Sequence, residues 1–345
     1  MRSAFNLPRG HAMDPGTART LLDPAILFFC FGIAAGALRS NLEIPPALAK
    51  GLSLFLLMSV GFKGGVALAH TGITPTALLA LGAAMLLALA IPLYSFLILR
   101  RRLSPFDAAA VAATYGSVSA VTFITAAGFA ERAGVPYGGH MAAALVVMES
   151  PAIIMAVLLA AYVRSRSPAL AAATGASAAA PPLSLRRVLH EAFTDGAHLL
   201  LLGSLVIGFV TGDEGKKAMD PLLGQLQKGV LAFFLLDMGL LVASRARSLR
   251  TDGAFLAAFG VVMPLVNASL AAGLAWVAGL GLGDAFLLTV LAASASYIVV
   301  PAVLRYAVPE ANAGLYFGMA LVITFPFNIV VGLPLYFAVL AALWR

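Results

Sequence analysis

The sequence is poor in charge and nearly devoid of cysteine. Of its 345 residues, 11% are charged, against about 25% in a typical soluble domain, which excludes an ordinary water-covered globule. The one cysteine, Cys30, falls inside an apolar run. That excludes a disulfide framework and a cysteine-based metal motif, and Cys30 reads as a small buried hydrophobe. Also missing are HExxH, a phosphate-cradling P-loop and G-x-S-x-G. Metalloprotease, ATP-driven and triad chemistry therefore have no basis in the sequence, and neither a catalytic residue nor a bound cofactor is expected. The five histidines show no metal-ligand spacing, with His70 and His140 expected at a membrane interface. The stretch from Met1 to about Leu22 has no apolar core followed by a small-residue cleavage site, so it does not read as a signal peptide and is expected to be a flexible tail.

Hydrophobicity is what the chain has in excess: 61% of residues are hydrophobic and the mean hydropathy is +0.97. Apolar runs of about twenty residues recur from end to end, each long enough to cross a bilayer core of about 30 Å. The expectation is an all-α integral membrane protein with ten transmembrane spans: Pro24–Leu38, Ala47–Ala69, Pro75–Leu99, Phe106–Ala130, Gly139–Val163, Leu189–Thr211, Pro221–Ala243, Gly253–Leu280, Asp284–Tyr306 and Ala313–Leu343. An Ala-, Ser- and Pro-rich linker over residues 164–188 divides them five and five, giving repeats at 23–163 and 189–345.

The halves share local patterns in the same order. Arg132-Ala133-Gly134-Val135-Pro136 parallels Arg305-Tyr306-Ala307-Val308-Pro309, and Met148-Glu149-Ser150-Pro151 parallels Ile323-Thr324-Phe325-Pro326. Leu57-Met58-Ser59-Val60-Gly61 can be set against Leu235-Leu236-Asp237-Met238-Gly239. Five is odd, so a second copy would enter the bilayer from the opposite side as an inverted repeat.

The net charge of +7 would suggest nucleic acid in a soluble chain. Here the basic residues sit between spans, which argues for the positive-inside bias and against nucleic acid. Arg39, Lys50, Arg100–Arg102, Arg164, Arg166, Arg186, Arg187, Arg245, Arg247, Arg250 and Arg305 fall on one side of the expected topology. Arg132, Lys216, Lys217, Lys228, Arg345 and the tail arginines fall on the other. The linker is thus expected in the cytoplasm of a bacterium and both termini outside its inner membrane.

Spans 4 and 9 each carry a small, polar interruption at mid-length: Thr114-Tyr115-Gly116-Ser117-Val118-Ser119 and Ala292-Ala293-Ser294-Ala295-Ser296-Tyr297. Backbone groups freed at a break cannot face lipid, where each would cost several kcal/mol. The half-helix that starts after a break presents N–H groups and partial positive charge, suited to an anion. Gly116, Ser117, Ser119, Thr122, Ser294 and Ser296 are therefore candidate substrate ligands, although such serines also serve helix packing. Ionisable groups at membrane depth normally face an interior cavity, which makes Lys63, Glu149 and Asp237 candidates for ion binding or coupling. Lys63 is expected to pair with Glu149 or Asp237. Thr324, Asn328 and Asn267 could serve as uncharged cation ligands, and Asp107 and Asp284 have caps or first turns as sufficient roles.

Taken together, Glu43-Ile44-Pro45, Gly61-Phe62-Lys63-Gly64-Gly65, Gly116-Ser117-Val118-Ser119, Met148-Glu149-Ser150-Pro151-Ala152 and Ala292-Ala293-Ser294-Ala295-Ser296 resemble the cyanobacterial-type sodium-dependent bicarbonate transporters. The resemblance implies a homotrimer of five-plus-five inverted repeats that co-transports a small anion with Na+, which Glu149 would ligate. It also implies a cytoplasmic face open to a PII-like regulator. The chain departs from that pattern at Tyr297, where the family carries an acid after the serines, and at Glu149, where an aspartate is frequent. Other readings of the same residues are a different carboxylate-like anion, proton coupling through Glu149, or a membrane sensor that binds without transporting.

Overall fold

The computed structural model describes residues 23–72, 74–166, 196–246, 253–297, 300–301, 303–304 and 308–344. The tail, most of the linker including Arg186 and Arg187, and Arg305 lie outside them. No strand occurs among the described residues. Helices α1 (Pro24–Ala37), α2 (Pro46–Thr71) and α3 (Pro75–Leu99) each begin with proline, whose fixed φ suits the first helical turn. Span 4 is two helices, α4 (Pro105–Gly116) and α5 (Ala120–Arg132). Then come α6 (His140–Arg166), α7 (Gly196–Met219), α8 (Gln227–Ala246), α9 (Gly253–Val277) and α10 (Leu282–Ala293). The last helix, α11 (Ala313–Leu343), holds two π-helical stretches, Met319–Thr324 and Asn328–Gly332. They frame Pro326, which has no N–H to give the helix, and lead into Pro334.

Seven stretches among the described residues are long and apolar enough to cross a membrane, and α1 and α10 are apolar but shorter. One of the seven, Leu199–Ala246, has 48 residues. As a straight helix it would run ~70 Å, over twice the ~30 Å hydrocarbon core. Gly212 bends it, at φ 52° and ψ −137°. Beyond the bend, Asp213, Glu214, Lys216, Lys217 and Asp220 are too highly charged for hydrocarbon, so this helical stretch reads as interfacial. The expected seventh span accordingly starts at Gln227 rather than Pro221, which sits in a π-helical turn.

The helices form two groups. In one, α1 packs along α8 and α2 along α7, with α2 also touching α8. In the other, α3 packs on α4 and α6, and α9 on α10 and the first π-helical stretch of α11, while α10 reaches α5. Close approach in the first group depends on missing side chains. A Cβ on Gly61 or Gly65 would lie 2.4 or 1.9 Å from carbonyls of α7, and one on Gly32 would lie 2.3 Å from a carbonyl of α8. Small-residue faces of this kind hold membrane helices by contact and dispersion, since lipid leaves no hydrophobic drive between them. Gly64 faces the other group, with Ala142 Cβ 2.8 Å from its own would-be Cβ. The Gly-Phe-Lys-Gly-Gly run is therefore the seam along which α2 meets α7 on one side and α6 on the other.

Candidate anion site at two broken helices

Spans 4 and 9 are interrupted, and each break satisfies the other. Ser117 is extended after α4 (φ −96°, ψ −178°), as is Ser294 after α10 (φ −83°, ψ 170°). Ser296 N–H donates to the Thr114 carbonyl across the crossing at 2.9 Å, and Ser119 N–H donates to Ser294 Oγ at 2.9 Å. The second half-helices are capped by serines of their own breaks: Thr122 N–H donates to Ser119 Oγ (3.2 Å), and Val300 N–H to Ser296 Oγ (3.3 Å). The carbonyl of Ala293, the last residue of α10, accepts from Asn328 Nδ2 at 2.8 Å. Backbone groups that a break would leave bare at membrane depth are thereby paired inside protein, as the hydrocarbon environment demands.

A cavity of about 50 Å³ lies beside this crossing, lined by Ser53 and Leu57 of α2, Val118, Ser119 and Ala120, Leu145 and Glu149 of α6, Ala197 and Leu201 of α7, and Ser296 and Tyr297. It sits where the two helix groups meet. At about 10–15 Å³ of this kind of volume per water, it has room for about three to five waters or for small ions of the same total bulk. The Ser119 and Ser296 oxygens accept backbone N–H groups, which leaves their protons free to donate. Ser294 differs: its hydroxyl donates to the Leu291 carbonyl at 2.8 Å while accepting from Ser119 N–H, so it braces the crossing. The hydroxyls of Ser117, Thr122 and Tyr297 are buried without a hydrogen-bond partner among the described residues, and of these three only Tyr297 lines the cavity.

A second cavity, about 910 Å³, is bordered by Val60 and Lys63 of α2, Phe123 and Glu131 of α5, and Ala142 of α6. Tyr137, Lys216, Gln227 and Lys228 also line it. The expected pairing of Lys63 is corrected here. Its ammonium donates to Gln227 Oε1 at 2.5 Å and lies 3.6 Å from Glu131 Oε1, not beside Glu149 or Asp237. The neighbouring Arg132 pairs with Asp23 at 2.7 Å, the residue that caps α1. The end of α5 is thus tied to α1 and α2 by two ion pairs of opposite polarity.

Four of the remaining candidates make contacts within the framework. Gly116 closes α4 against Pro92 of α3, whose Cγ would lie 2.0 Å from an added Cβ. Thr324 Oγ1 donates to the Gly260 carbonyl (2.8 Å), so the Tyr115 hydroxyl at 2.6 Å is the donor to Thr324. Asn328 Oδ1 accepts from Tyr336 (2.9 Å), and Asn267 accepts from Tyr94. Asp237 of α8 is half-buried and within electrostatic reach of Tyr297. One further expectation is corrected: Cys30 is exposed on α1 rather than buried. His140, the first residue of α6, is buried within the protein 3.3 Å from Asp284. Sequence reasoning passed over Ser53, Tyr115, Glu131 and Gln227. Glu131 stood in plain view beside Arg132 at the end of a span.

Outside the membrane spans two groups have displaced acidities. Burial works to raise the Glu310 carboxyl, yet hydrogen bonds and charge from Arg164 hold it below the usual carboxylate range. Burial, with Glu131 adjacent, pushes the Tyr137 phenol up. A search of curated proteins finds no match to the chain. The family model described as the Na+-dependent bicarbonate transporter superfamily matches residues 24–341, nearly the whole chain, and the chain belongs to that family, as a multi-pass membrane protein.

Proposed function

We propose that this protein moves bicarbonate across a bacterial inner membrane together with Na+, by alternating access between the two helix groups. The observation that carries this reading is the small cavity at the meeting of the groups, which brings Ser119, Ser296, Glu149 and Tyr297 onto one space. Serine protons and the starts of two capped half-helices suit the anion. The Glu149 carboxylate suits the cation, and burial of both ions together lowers the cost of taking either out of water.

The ten-span inverted repeat belongs to this proposal, and it draws support from reciprocal contacts. With residues 23–163 as one copy and 189–345 as the other, α1 on α8 and α2 on α7 are the same contact seen from each half. Asp107, in the first turn of α4, accepts the backbone N–H of Asn312 at 2.7 Å; Asp284, in the first turn of α10, accepts that of Gly138 at 2.6 Å. Each half thus ties down the loop that follows the other's broken span. The positive-inside bias places the wide cavity, opposite Arg100–Arg102, on the outside, so this conformation is read as outward-facing.

The test is uptake of labelled bicarbonate into proteoliposomes under an inward Na+ gradient, with K+ replacing Na+ as the control. Uptake at least tenfold above the control is expected. Bicarbonate uptake of equal size in both would remove Na+ from the mechanism, and none in either would remove the cargo.

A further inference from the structure

Resting on the reading of the crossing as the anion site, we propose that Tyr297 is a specificity-determining residue whose phenol proton is donated to the bound anion. The side chain is 4% exposed, its hydroxyl has no hydrogen-bond partner among the described residues, and it lines the 50 Å³ cavity. A buried hydroxyl left unpaired keeps the cost of its lost hydration, and a ligand acceptor in the cavity removes that cost. The ring is held edge-on against Phe325, centroids 5.3 Å apart, and the hydroxyl lies next to Ser119 without completing a hydrogen bond to it.

The chemistry of the donors identifies the ligand class. Ser119 and Ser296 accept backbone N–H groups through oxygen, so each has one proton left, and Tyr297 supplies a third. Three neutral donors lining one cavity fit a small planar oxoanion with several acceptor oxygens. A phenol has a second option, because its oxygen can ligate a cation. The experiment therefore separates anion from Na+.

Tyr297→Phe keeps the ring and its packing, and unchanged thermal unfolding without ligand checks that it folds. Bicarbonate affinity is measured on the purified full chain by calorimetric titration at saturating Na+, alongside Ser119→Ala, with the Na+ half-saturation point measured for each. A hydrogen bond to a charged partner predicts bicarbonate binding about ten- to hundredfold weaker in Tyr297→Phe, with Na+ half-saturation unmoved. Wild-type affinity in Tyr297→Phe with loss in Ser119→Ala overturns the role of Tyr297 and keeps the crossing as the site. Wild-type affinity in both overturns the site as well. A shift confined to Na+ half-saturation makes the phenol a cation ligand and overturns the proposal.

Discussion

Asn328 shows how one side chain can look like a ligand and act as a joint. An amide in the last span reads as a cation ligand from sequence, but both ends of this one are engaged: Nδ2 holds the Ala293 carbonyl and Oδ1 takes the Tyr336 hydroxyl. Asn328→Ala leaves that buried carbonyl unpaired, and a loss of about 1–3 kcal/mol is expected, read as a lower thermal midpoint in detergent. Wild-type stability would mean that the carbonyl has another partner. Gly116→Ala is expected to be at least as harmful, by about 1–3 kcal/mol, because Pro92 is a rigid ring with no rotamer to escape into. The same measurement checks it. Glu310 lends itself to a pH test. Its carboxyl, 1% exposed, takes two hydrogen bonds of 2.8 Å from Arg164, and its folded-state acidity is shifted down. The pair's stability is therefore fully present above the unfolded value of about 4.5 and is lost as pH falls through the lower folded value. Unfolding midpoints of wild type and Glu310→Gln should lie apart at neutral pH and draw together below about pH 4.5.

Elements differ in how firmly they are tied, and magnitudes rank the ties. Two ion pairs anchor the end of α5 to the α1–α2 group. Lys63 and Glu131 have side chains 33% and 38% exposed, whereas Asp23 is 5% exposed and already caps α1. Exposed pairs contribute roughly 0–1 kcal/mol, whereas stripping a partner from a buried charge costs about 3–5 kcal/mol, a range to be discounted here because Arg132 keeps contact with water. Arg132→Gln should therefore lower the thermal midpoint more than Glu131→Gln, and the reverse order would mean that Asp23 is not effectively buried. The breaks in spans 4 and 9 were legible because small hydroxyl residues replace large apolar ones at mid-length, where lipid-facing helix has no use for them. The helix beyond Gly212 was not foreseen: Asp213 through Asp220 read as a loop, and only the bend shows them continuing as helix along the surface.

For the whole molecule, two helix groups meet at the crossing, and the proposed function depends on their parting there. Each keeps its own internal contacts, glycine-mediated in the α1, α2, α7, α8 group and knit by Asp107, Asp284 and Asn328 in the other. The cavity lies on the boundary, so its walls come from both groups, and a sliding motion between them would carry ions from one side to the other.

Composition alone determined that this chain lives in a bilayer, because a chain with 11% charge cannot cover itself against water, and local pattern determined where two spans must break, because backbone without helix needs protein around it. Partnership was decided only in three dimensions. Lys63 meets Gln227, 164 positions away, and Ser119 meets Ser294, 175 away. No local pattern encodes which of several buried polar groups a long side chain will reach, since that choice is made by how whole helices pack.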